Sequence, residues 1–201
     1  MPVDGYWNRV IFSDESKIEV GLDNRVYIWR KAGEEWLPPC TSPPPRKRLR
    51  VMLWGCITFN GVGTLDFLEG SINALKYIDI LEDNLWPVVA RHFRQNNSIF
   101  QDDNAPSHRE QKVMEYRVKN KIKMLSWPAQ SPDLNIIENV WQRLKRELQN
   151  DAICIATIDD LKARIRHLWE YLPVNYIQSL YHSIPRHIKA VFKNNGNVTK
   201  Y

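Results

Sequence analysis

At Asn73 the sequence changes period, and that change limits the folds open to it. Upstream, Trp7 to Lys31 is rich in β-branched and aromatic residues, and the cluster Gly21 to Asn24 divides it as the loop of a hairpin would. Leu49 to Phe59 (LRVMLWGCITF) reads as a further strand, and GTLDFLEG as a short strand at the sheet edge. Downstream, Leu75, Ile78, Leu81 and Leu85 recur at the spacing of one helical face, with Pro87 as a bend. The chain therefore begins as a β-meander and then needs helices to cover it.

The remainder alternates. Ile99 to Asp103 is a strand, about His108 to Val118 a helix, and Ile122 to Trp127 another short strand. One helical stripe follows in Ile137, Val140, Trp141, Leu144 and Leu148, and a second in Leu161, Ile165, Leu168 and Trp169. Ile177, Leu180, Ile188, Val191 and Phe192 suggest two short helices broken near Pro185. The expectation is a single α/β domain over residues 1–201, a mixed β-sheet flanked by helices with a helical C-terminal third. The order β-β-β-α-β-α-β-α is similar to that of the ribonuclease H-like fold.

Between the strands at either end of the meander, Leu37 to Pro45 carries five prolines in nine residues and runs into Arg46-Lys-Arg-Leu-Arg50. Such a segment is neither helix nor central strand, and an excursion of this length is functional or disordered more often than not. Stiffness and positive charge together suit a clamp over residues 37–50 that reaches toward DNA phosphates or a second subunit, through Arg46, Lys47, Arg48 and Arg50. A solvated basic loop or a nuclear-import signal is the plainer alternative.

With 43% apolar and 25% charged residues the chain is long enough to bury a core, and no run approaches the length of a membrane span. The first residues lack the basic start and apolar core of a signal peptide. Cys40, Cys56 and Cys154 are far apart and odd in number, so neither a disulfide framework nor a zinc site is expected. A reducing compartment fits. The net charge of +5 admits a polyanionic partner without requiring one.

Three acids stand out. Val10-Ile-Phe-Ser-Asp14 and Ile99-Phe-Gln-Asp-Asp103 are both apolar runs closing on an acid. If the strands are neighbours, Asp14 and Asp103 face each other, and such a pair calls for a cation between them. Taken singly, each acid could merely cap a turn. Glu138, in SPDLNIIENVW, lies at the border of its helix's apolar stripe, where a metal ligand would be backed by packing and open to substrate. It could equally close a capping box with Asn135.

The segments FSDES, QDDNAPSH and WPAQSPDLNIIENVW resemble the catalytic blocks of Tc1/mariner DDE transposases, and the resemblance runs from Trp7 to the C-terminal NVTKY. In the Tc1 branch 34 residues separate the second Asp from the Glu; 34 also lie between Asp103 and Glu138. That spacing selects Asp103 rather than Asp102. The resemblance implies a catalytic and metal-binding triad of Asp14, Asp103 and Glu138 holding two Mg²⁺ ions, for which Mn²⁺ can substitute. It further implies hydrolysis at transposon ends, transfer of the 3′-hydroxyl into DNA at TA, a homodimer or higher assembly on DNA, and action in the nucleus. Asp103→Asn is accordingly expected to abolish cleavage and, because one of several clustered like charges is removed, to leave the fold intact or slightly more stable, with Asp102→Asn much milder.

Two departures accompany the likeness. Ile136 stands where many relatives have Pro, and PPRKRLR where close relatives have a Gly-rich strip. The family's N-terminal helix-turn-helix modules have no counterpart in these residues. Trp127 and Trp141 read as packing residues, and His108 as structural rather than as a general base. The rivals are a catalytically silent derivative that binds DNA or protein, and a nuclease of the same fold restricted to hydrolysis.

Overall fold

The structure, a computed structural model, describes residues 5–21, 48–93, 97–128, 131–150 and 155–194. Strand β1 (Val10–Val20) is its axis. Val10, Ile11 and Phe12 are all fully buried, as expected of a strand covered on both faces. β1 pairs antiparallel with β2 (Leu49–Thr58), which pairs antiparallel with β3 (Gly61–Leu68), and on its other side it pairs parallel with β4 (Ile99–Gln101). The order is β3-β2-β1-β4, with β3 at the edge as the sequence suggests.

Helices cover both faces. On one lie α1 (Ala74–His92) and α2 (Gln111–Lys119), around a core of Ile11, Trp54, Cys56, Tyr77, Phe100 and Val113. On the other, α3 (Ile137–Asn150), α4 (Ile158–Glu170) and α5 (Val174–Lys193) pack on Phe12, Ile18, Leu53 and Ile57. Asn73 caps α1 by accepting the Lys76 N–H, and Thr157 forms a capping box with Asp160 at the start of α4. The α3 stripe is buried as its spacing predicts: Ile137, Val140, Trp141, Leu144 and Leu148. Among the described residues no helix is long and apolar enough to cross a membrane, and Cys56 is a buried free thiol whose pKa burial pushes up to about 12.

The structure corrects four readings. The inward face of α1 is Ala74, Tyr77, Leu81, Leu85 and Val88, whereas Leu75 is 56% exposed. The face turns this way because the buried Tyr77 hydroxyl has a carboxylate partner, so Tyr77 can take the place assigned to Ile78. Ile122 to Trp127 is not a strand; it touches β4 through a single parallel bridge, Phe100 to Met124. α2 starts at Gln111, after a 3-10 turn over Pro106–Arg109. α5 is one helix that carries Pro185 inside it. Ile177, Tyr181, Ile184 and His187 bury its face on both sides of the proline, and packing outweighs the lost backbone hydrogen bond. The second arm of the expected hairpin, the Pro-rich segment, Arg46, Lys47, Cys40 and Cys154 lie outside the described residues.

Candidate active site

Asp14 sits in the middle of β1, not at a strand end as the sequence suggests. The strand that ends is β4: its last residue, Gln101, pairs with Phe12, so from Ser13 onward β1 has no paired β4 neighbour. Ser13 Oγ donates to Gln101 O at 2.9 Å and pins this end of the pairing. Asp103 leaves β4 two residues past Gln101, in step with Asp14 two residues past Phe12. α3 packs on the same region of β1 and brings Glu138, in its first turn, to the opening. Asp14, Asp103 and Glu138 thereby line one cavity of about 110 Å³, together with Gln101, Trp127 and Asn135.

Negative charge is crowded there. Burial, then the charges of Glu138, Glu15 and Asp103, with a hydrogen bond to Glu138, raise the Asp14 carboxyl to a pKa of about 8. The Trp141 indole N–H, 3.3 Å from Asp14 Oδ2, helps fix its orientation. Gly55, opposite Asp14 on β2, makes room for that indole: a Cβ there would lie 2.7 Å from Trp141 Cη2. Oxygens of Asp14, Glu15 and Asp103 lie within 4.8 Å of one another. A crowded, all-oxygen carboxylate set of this kind fits a hard divalent cation such as Mg²⁺ or Mn²⁺.

This crowding makes stability fall with pH. Asp14 binds its proton more tightly folded than unfolded, so its contribution is lost as pH rises from about 4 to about 8. His108 acts in the same direction: burial alone would lower its pKa, but the Asp103 and Glu15 carboxylates against its two nitrogens raise it to about 9. Between pH 5 and 8 the cation-free protein should lose on the order of 3 kcal/mol, roughly 6–12 °C in thermal midpoint. Asp14→Asn should flatten that slope, and thermal unfolding at several pH values in chelator measures it; an equal slope in both proteins would refute the assignment.

Asp103 is held from behind. His108 Nδ1 lies 2.9 Å from Asp103 Oδ1 and Nε2 lies 3.5 Å from Glu15 Oε1, while the ring stacks on Tyr77 at 3.7 Å. The His108 ring against its carboxylate, opposed by partial burial, lowers the Asp103 pKa. With both ring nitrogens facing carboxylates, His108 is a charged brace, in keeping with the structural role read from sequence.

Asp102 is different in kind. It is 3% exposed, ion-paired with Arg117 of α2, and its Oδ2 accepts from the Tyr77 hydroxyl at 3.0 Å. The two adjacent acids thus have different main partners, Asp102 a buried guanidinium and Asp103 the buried His108, whose Nδ1 lies farther, at 4.0 Å, from Asp102 Oδ2. Asn104, with φ +57°, makes the turn between β4 and the 3-10 turn, and its amide donates to Trp127 O at 3.0 Å. Trp127 packs edge-on against Trp7 and Phe12 beside the cavity.

The capping box at α3 does not form. The Asn135 N–H donates to Pro132 O, and the Asn135 amide crosses to β1 to donate to Ser13 O at 3.3 Å. Glu138 lines the cavity of Asp14 instead, and its charge is one cause of the raised Asp14 pKa. Ile136 is fully buried.

Of the four basic residues assigned to the clamp, Arg48 and Arg50 are described. Both converge on Glu19 of β1, at 3.1 and 3.0 Å, and both are more than half exposed. Sequence reasoning did not single out Glu15, Gln101, Arg117 or Asn135 as parts of the site. The one signal for Arg117 is its place one turn after Val113, on the buried face of α2.

Residues 9–162 match the DDE superfamily endonuclease family. The chain is 34% identical to the transposable element Tcb1 transposase of Caenorhabditis briggsae over 97% of its own length and 71% of that protein. It is 32% identical to the Tc1 transposase of Caenorhabditis elegans with the same coverage. In fold it resembles the Mos1 mariner paired-end complex with Mn, at TM-score 0.80 and 20% identity, covering 97% of this chain and 58% of that one. The family match and the two relatives carry the function of the domain beyond short motifs, and the likeness to the solved structure carries its ribonuclease H-like fold. The chain belongs to the DDE superfamily endonucleases and carries the catalytic domain of Tc1-like transposases.

Proposed function

We propose that this domain cuts DNA at transposon ends and joins the freed 3′-hydroxyl to target DNA at TA, with Asp14, Asp103 and Glu138 holding two divalent cations. The observation that carries this is the convergence of the three carboxylates on one cavity, where Asp14 is poorly tolerated as an anion without a cation. Bound there, divalent cations supply Lewis acidity and offset charge on the reacting phosphate. The protein's part is positional. β1 and α3 hold Asp14 and Glu138 against each other, and His108 fixes Asp103 at the end of β4. In the first reaction an oxygen of water bonds to phosphorus as the bond to the 3′-oxygen breaks; in the second that 3′-oxygen loses its proton and bonds to a target phosphorus as the bond from that phosphorus to the target strand's own 3′-oxygen breaks, leaving a target 3′-hydroxyl. Neither requires a covalent bond to protein.

A strand-transfer assay with a pre-cleaved 3′-hydroxyl end tests this reading. Joined product supports it, hydrolysis alone would make the domain a nuclease, and DNA binding with neither reaction would make it a silent derivative. The partners under this reading are transposon-end and target DNA and further copies of the chain, and the place of action is the nucleus.

Residues 37–50 act as the clamp in this proposal, anchored where Arg48 and Arg50 meet Glu19. Replacing Arg46, Lys47 and Arg48 by Ala should lower the slope of log affinity against log salt by roughly 2.7, at about 0.9 per phosphate contact. An unchanged slope would return the segment to a solvated loop.

A further inference from the structure

Two amide oxygens beside the carboxylates have no partner. Gln101 is 1% exposed and donates through Nε2 to Asp102 O at 3.0 Å, and its Oε1 accepts nothing. Asn135 is 6% exposed and donates through Nδ2 to Ser13 O, and its Oδ1 accepts nothing. In each case the acceptor of the N–H is a backbone carbonyl, so the amide cannot be turned over without setting oxygen against oxygen. Both residues line the cavity of Asp14, Asp103 and Glu138, one from the end of β4 and one from the entry to α3. Buried polar atoms are almost always paired, and two orphans at one cavity point to a donor that enters with a ligand.

The carboxylates narrow the choice of donor. Mg²⁺ gives up water reluctantly and keeps several waters when held by a few carboxylates, and those waters are strong, polarised donors. We propose that Gln101 Oε1 and Asn135 Oδ1 accept hydrogen bonds from the hydration waters of the divalent cation, making both positioning residues for the hydrated ion. This rests on the metal-dependent reading above and extends the site from three carboxylates to a shell that also orients water. The strand end and the helix start that supply the amides also carry Asp103 and Glu138, so one local geometry sets ligand and hydration together.

The test is Mg²⁺ titration of the purified domain without DNA, read by calorimetry and by the rise in thermal midpoint. Gln101→Met and Asn135→Leu keep approximate size and remove the acceptor; each should weaken Mg²⁺ binding about 10-fold, the low end of the effect of outer partners on metal affinity. In cleavage assays both should raise the Mg²⁺ concentration for half-maximal rate more than they lower the rate at saturation. Parent-like Mg²⁺ affinity in Gln101→Met and Asn135→Leu overturns the proposal while leaving the carboxylate site standing. Should either fail to fold, the other decides, since parent-like Mg²⁺ affinity there has the same meaning. A parent domain that binds no Mg²⁺ would sink the metal-dependent reading itself.

Discussion

Asp103→Asn should abolish metal-dependent cleavage, by on the order of 10³-fold or more, in a chain that remains folded. Cations at such sites supply several kcal/mol of charge stabilisation in the transition state, and each 1.36 kcal/mol is a factor of ten in rate. Asn keeps the shape and one weak acceptor but loses the charge. The sequence alone suggests a gain in stability from relief of repulsion, and the structure argues against it. Asp103 is an acid whose charge is favoured in the fold, because His108 sits 2.9 Å from it; neutralising Asp103 leaves that buried imidazole with less to hold it. Relief of repulsion belongs to Asp14, whose pKa is raised. Cation-free Asp103→Asn should therefore be no more stable than the parent, and Asp14→Asn more stable at pH 8. Cleavage of a labelled transposon-end duplex and thermal unfolding in chelator measure both effects, and Asp103→Asn activity within tenfold of the parent would remove Asp103 from the site.

The difference between those expectations shows how far the sequence could be read. The three acids were legible because each follows a pattern that survives without neighbours: an apolar run closing on Asp, or a Glu at the border of a stripe. The choice of Asp103 over Asp102 rests on spacing in a family resemblance, and the geometry supplies its physical counterpart: Asp102 pairs with Arg117 in the interior, while Asp103 lines the cavity with His108 closest to it. Asp14 in mid-strand was not legible, since the opening beside it is made by the end of β4, a property of the partner strand. Nor was the brace on Asp103. His108 reaches Glu15, 93 positions away, only once β1 and the 3-10 turn are packed together. Tyr77 was passed over because the pattern counts aliphatic residues, and burying its hydroxyl depended on Asp102 being there to accept from it.

Asp102→Asn should be the mirror image, a large loss of stability with cleavage per folded molecule largely kept. Asp102 and Arg117 are 3% and 8% exposed, and removing one partner of a buried ion pair leaves the other charge uncompensated, at about 3–5 kcal/mol. The Tyr77 hydroxyl on α1 and the Asn104 N–H, the latter within the turn that carries Asp103, also lose a charged acceptor. Some loosening of Asp103 follows, but its charge and its contact with His108 remain. Arg117→Met alone should be comparably destabilising, since it strands the carboxylate instead. The double variant Asp102→Asn with Arg117→Met should then be more stable than the sum of the two losses predicts, because no unpaired charge is left in the interior. Urea unfolding of the four proteins gives that coupling, and cleavage below the unfolding transition separates it from catalysis. Equal loss of cleavage in Asp102→Asn and Asp103→Asn under those conditions would mean that the two neighbours share the metal site, and the division of labour between a buried structural acid and a catalytic one would have to be abandoned.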